Sequence, residues 1–100
     1  MAKPRSKLSE LLNEICRNVY FQPPADIKMK YPCIVYELEK TDVTRADNNP
    51  YLLYDVYSLK YITRDPDDAI RLRFITIPLC TSQKMYIADN LYHHPFELYW

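Results

Sequence analysis

Apolar positions recur every three or four residues near the start of the chain and every second residue over much of the remainder. Leu8, Leu11, Leu12, Ile15 and Val19 form one stripe, the period of an amphipathic helix. The pattern predicts a helix over Pro4–Asn18, with Ser6 as N-cap and Asn18 as its stop. Its polar side carries Lys7, Glu10, Glu14 and Arg17 at spacings that allow ion pairs. Val19–Pro32 reads as a connector, extended at Pro23-Pro24, with Tyr20 and Phe21 folded back on the core.

From Cys33 the period changes to two. Cys33–Glu39 is a strand in which Ile34, Tyr36 and Leu38 alternate with Cys33, Val35, Glu37 and Glu39. Lys40–Pro50 is mostly polar and is expected to be a long hairpin loop. Tyr51–Thr63 then reads as a strand of about 40 Å at ~3.3 Å per residue. Four of the ten tyrosines lie in it, and both of its faces are partly apolar. A small monomer buries one sheet face and wets the other, so the surplus is expected to meet another subunit.

Asp65 as N-cap, Pro66 at the first helical position and Asp67-Asp68 in the first turn predict a second helix, with Ile70, Phe74 and Ile77 as its apolar stripe and Pro78 as its end. Its close, Phe74-Ile75-Thr76-Ile77, is β-branched and pulls toward extended backbone. Ser82–Ala88 is expected to be a third strand, Asp89-Asn90 a turn and Pro95–Trp100 a fourth strand. The expected fold is α+β, a two-layer sandwich in the order α-β-β-α-β-β: a mainly antiparallel four-stranded sheet with two helices on one face.

Composition narrows the function more than the fold. The 100 residues suit one domain, 1–100, with a loose basic tail over 1–5. Thirteen basic residues balance thirteen acidic ones, so nothing steers the chain to nucleic acid or an anionic membrane. No apolar run is long enough to span a bilayer. There is no glycine, which argues against a phosphate-cradling loop. Cys16, Cys33 and Cys80 are odd in number and widely spaced, which suggests buried free thiols.

His93-His94 point to opposite faces of a strand and are poorly placed to share a metal ion. A Cys80–His93 nucleophilic pair has no specific support, and Asp67-Asp68 are accounted for by the helix start. No catalytic residue, metal or cofactor is expected.

Four phrases are distinctive: NVYFQPP (Asn18–Pro24), MKYPCIVY (Met29–Tyr36), ADNNPY (Ala46–Tyr51) and ADNLYHHPFELYW (Ala88–Trp100). They resemble the tail terminator, or tail-completion, proteins of long-tailed bacteriophages, mostly of Gram-positive hosts. The resemblance runs from Asn18 to the C-terminus and is weakest through 70–84. It implies a structural virion protein and not an enzyme, assembled in the host cytoplasm at the head-proximal end of the tail. It implies a homo-oligomeric ring, usually a hexamer, that binds the last ring of tail tube protein, stops tube growth and offers a surface to the head–tail connector. DNA would cross the lumen without specific binding.

The interface residues expected on this reading are Tyr54, Tyr57 and Tyr61 on the long strand, and Asp42, Arg45, Asp47, Asn48 and Asn49 on the polar loop. Alternatives are a head-closure or adaptor protein of the neck, a small soluble protein that binds a host protein, and a small enzyme using Cys80 or His93.

Overall fold

The computed structural model of the chain describes residues 3–24, 27–46 and 49–100. Helix α1 (Arg5–Ile15) is shorter than its stripe suggests. Pro4 takes the N-cap position without a side-chain bond, so Ser6 lies inside the helix and caps nothing. Leu8, Leu12 and Ile15 are buried on one side, and Lys7 and Glu10 approach to 3.7 Å on the wet side.

The sheet differs from the expected one. Among the described residues it has six strands, mixed in direction, in the order β1-β2-β3-β6-β4, with β5 also paired to β6. β1 (Val19–Phe21) runs parallel to β2 (Cys33–Ala46), a partnership hidden because three residues are too few to show alternation. β2 pairs antiparallel with β3 (Asn49–Thr63), and β3 with β6 (Leu91–Tyr99).

The expected third strand is two short ones, β4 (Cys80–Ser82) and β5 (Tyr86–Ala88), laid end to end along the outer edge of β6. Pro95 explains the gap. Its carbonyl points to that edge and accepts the Gln83 N–H at 2.9 Å. The N–H that proline lacks would point the same way, so the ladder breaks there. Asp89 and Asn90 both adopt positive φ, 52° and 61°, and turn β5 into β6, which is the two-residue hairpin geometry that Asn and Asp tolerate.

The second helix is a 3₁₀ helix, Ala69–Thr76, and not an α-helix. Asp68, three residues beyond the expected Asp65, caps it by accepting from Ile70 N–H at 2.9 Å. The β-branched close at Ile75-Thr76-Ile77 disfavours further α-helical turns.

The fold is therefore a small α+β domain in which both helices cover the same sheet face. Leu8, Leu12 and Ile15 of α1 and Phe74 and Ile77 of the 3₁₀ segment pack on Ile34, Tyr36, Tyr57, Leu59, Tyr61, Phe96 and Leu98. On the opposite face a smaller cluster, Cys33, Val35, Ile62 and Leu91, lies against Tyr20, Met29 and Tyr31. Arg73 Nη1 donates to Glu14 O at 3.2 Å and Trp100 Nε1 to Pro4 O at 3.1 Å, tying the helical layer together and to the last strand.

Candidate functional site

The stretch Lys40–Pro50, expected to be a loop, is for the most part strand. β2 and β3 remain paired from Cys33–Ile62 out to Ala46–Asn49, with register shifts at Leu38/Lys40 and Thr44/Arg45. Neighbouring strands do not follow them. β1 pairs with β2 only as far as Tyr36, and β6 pairs with β3 only from Val56 inward. Two further bonds finish the junction: Trp100 N–H to Asp55 O at 2.8 Å and Leu38 N–H to Gln22 Oε1 at 3.4 Å.

Beyond it a two-stranded ribbon of about seven residues per strand, ~23 Å long, stands clear of the sheet. It draws the molecule out to 50 × 27 × 23 Å. Lys40, Asp42 and Arg45 are exposed along its β2 strand, and Glu37, Glu39 and Leu38, the last 45% exposed, lie at the junction. Charges on a free edge discourage strand addition, so the ribbon presents side chains for docking more than open backbone.

The expected interface residues separate into three groups. Asp42 and Arg45 are exposed on the ribbon, and Tyr54 is half-buried at its root with its ring 6.3 Å from that of Tyr99, edge-on. Tyr57 and Tyr61 do not belong to a subunit interface. They are 3% and 0% exposed and form part of this chain's own core. The Tyr61 hydroxyl donates to Asp68 Oδ2 at 2.7 Å, which gives the buried phenol its partner. Burial, and then the bond to Asp68, raise the Tyr61 pKa. Asn49 ends β3, where it pairs with Ala46, while Asp47 and Asn48 lie outside the described residues.

Two concavities flank this core. At the root of the ribbon, Lys3, Tyr54, Leu79, Tyr99 and Trp100 line a cup of about 190 Å³. The Lys3 ammonium sits 4.7 Å from the centre of the Trp100 ring, a cation–π seat. On the helix-covered face, Arg71, Ile75, Gln83, Met85, His94 and Phe96 line a cleft of about 290 Å³. His94 Nε2 is buried there without a partner among the described residues. Burial, and then the nearby Arg71 charge, push its pKa below the ordinary histidine value, while Asp68 pulls the other way. No periodicity marks Arg71 or Gln83 as neighbours of His94; the β4–β6 register creates the cleft.

The two histidines do lie on opposite faces, His93 stacked on Tyr86 at 4.8 Å and His94 near-parallel to Tyr61 at 6.3 Å. Cys80 sits opposite Leu98, five residues or ~17 Å along β6 from His93. Its thiol is pushed up to about 11 by burial, and that of Cys33 to about 12 by burial and then by Cys16. Such thiols hold their protons at neutral pH, and the thiolate is the reactive form. Among the described residues no three His, Cys, Asp or Glu side chains converge as a metal site, and no helix is long and apolar enough to cross a membrane.

Comparison with protein-family models, curated proteins and solved structures gave no match.

Proposed function

We propose that this chain is an assembly subunit that joins neighbours into a closed ring, and that the ring caps the head-proximal end of a bacteriophage tail tube. The observation that carries the assembly reading is the ribbon. A two-stranded hairpin is marginal in isolation, and this one is unaccompanied on both edges beyond Tyr36 and Val56. Among its described side chains, Thr41–Arg45 and Leu53–Asp55, it contributes none to either core cluster. Such an arm suits contact with another molecule better than it serves the stability of its own.

Exposed apolar side chains on the body point the same way. Leu72, Ile75, Met85, Tyr86 and Ile87 are all exposed, Ile87 at 62%, and Ile75 and Met85 line one cleft. An arm at one end and a receptive body make a heterologous contact, which closes into a ring when the rotation between copies closes. The assignment to the tail end rests on the likeness of the four sequence phrases to terminator proteins.

The test is to mix the purified chain with tube protein of its phage and image the tubes by negative stain. Rings at one end of each tube, with tube growth arrested, are expected. Tubes that lengthen as they do without the chain, and bear no ring, would overturn the reading.

A further inference from the structure

We infer that the aromatic cup at the ribbon root is the receptor for Arg45 of a second copy, and that Lys3 holds the seat until that arginine arrives. The inference rests on the ring reading and names the contact that would build the ring.

The cup already shows its ligand chemistry. Tyr54 and Tyr99 meet edge-on at 6.3 Å, and Trp100 offers a ring face that carries the Lys3 ammonium at 4.7 Å. Aromatic faces attract cations, and arginine adds planar stacking that lysine cannot match. The occupant from the same chain is a weak one: Lys3 is exposed and lies ahead of α1, so it loses freedom by staying.

Arg45 is the complementary piece. It is exposed toward the far end of the ribbon, and among the described residues it has no ion-pair partner. It cannot serve its own cup. Thr41 pairs with Asp55 beside the cup, and Arg45 lies four residues farther out, ~13 Å along a hydrogen-bonded ladder. A neighbour's cup is the one it can fill, tip to root, which is a heterologous contact.

The cup rim supplies an independent sign. Leu79 adopts φ 62° and is 59% exposed. A leucine held in the left-handed region and in water is unfavourable on both counts. A neighbour's ribbon packed on it would bury the side chain.

The experiment is sedimentation velocity of the full chain, alone and with tubes, for wild type, Arg45→Ala, Arg45→Lys and Lys3→Ala. Far-UV circular dichroism checks the fold, which these exposed positions should not disturb. Arg45→Ala is expected to weaken ring formation about tenfold or more, and Arg45→Lys less. Lys3→Ala is expected to strengthen it several-fold, because it removes the competitor; a merely structural Lys3 would give no such gain.

Rings as stable in Arg45→Ala as in wild type, or weakened by Lys3→Ala, would overturn the inference and leave the ring reading standing. Rings that survive Arg45→Ala but no longer hold tubes would assign Arg45 to the tube protein and overturn the second-copy contact. A wild-type chain that forms no ring with or without tubes would remove the ring reading itself.

Discussion

Tyr61, two residues from the end of the longest strand, donates its hydroxyl to Asp68, the cap of the 3₁₀ helix, at 2.7 Å. The same carboxylate accepts from Thr63 Oγ1 at 3.0 Å and, through its other oxygen, from Ile70 N–H at 2.9 Å. One side chain thus fixes where the strand ends and where the helix begins. Asp68→Ala leaves the buried Tyr61 hydroxyl without its acceptor and the helix without its cap. It should cost about 2–4 kcal/mol, whereas Tyr61→Phe, which keeps the cap, should cost about 1–2 kcal/mol. Urea unfolding of the two variants measures both; equal losses would show that the cap contributes nothing.

Acid should destabilise the fold in two separate windows. His94 titrates below its ordinary value of 6.5, because burial and Arg71 disfavour its charged form. The unfolded chain therefore binds the extra proton first, and stability falls as pH drops from about 6.5 toward the lower folded value. Burial alone would raise the Asp68 pKa, but the bonds from Tyr61, Ile70 N–H and Thr63 prevail and hold it below its ordinary 3.8. Its contribution is complete above that pH and is lost as pH falls through the folded value. Melting temperature against pH should show both steps in wild type. His94→Phe should abolish the first and keep the second. It should also melt higher near pH 6, since it removes a buried nitrogen that has no partner among the described residues.

Shortening the ribbon should separate folding from assembly. Thr41 and Asp55 are cross-strand partners, joined also by Thr41 Oγ1 to Asp55 Oδ1 at 2.9 Å. Replacing residues 42–54 with Asn-Gly places a two-residue hairpin turn between them. Among the described residues neither core cluster draws on the removed segment, and the loss inside the body is the Tyr54–Tyr99 contact. Melting within a few degrees of wild type and loss of rings are expected. Rings of normal stability from the shortened chain would show that the arm has no part in assembly.

The elements were legible in the sequence where one face is buried and the other is wet. Leu8, Leu12 and Ile15 betray α1 for that reason, and Ile34 and Tyr36 betray the inner half of β2. The ribbon was not, because a strand covered on neither face has no apolar alternation: Lys40–Arg45 is polar and reads as loop. Tyr57 and Tyr61 misled in the opposite sense. A tyrosine near the surface and a buried one with a partner look alike until the partner is found, and Asp68 became that partner through the turn after β3. The gap between β4 and β5 depends on Pro95, whose effect on its neighbours requires the register of β6. The cup draws Lys3, Tyr54, Leu79 and Trp100 from four separate regions, so no local spacing could announce it.

Leu79 should reveal whether a strained residue is kept for folding or for contact. Its φ of 62° places it where Cβ crowds the following carbonyl oxygen, while its own carbonyl accepts Tyr99 N–H at 3.1 Å and so holds the geometry. Asparagine tolerates the left-handed region far better than leucine, and the side chain is 59% exposed, so little burial is forfeited. Leu79→Asn should therefore stabilise the monomer by about 0.5–1 kcal/mol. If Leu79 is the apolar rim on which a neighbouring ribbon packs, the same substitution should weaken ring formation. Stability and association would then move in opposite directions, the usual trade at a functional surface. Denaturant melts and sedimentation velocity on one preparation decide it. A variant more stable and equally associated would reduce Leu79 to a tolerated flaw in the turn between the 3₁₀ helix and β4.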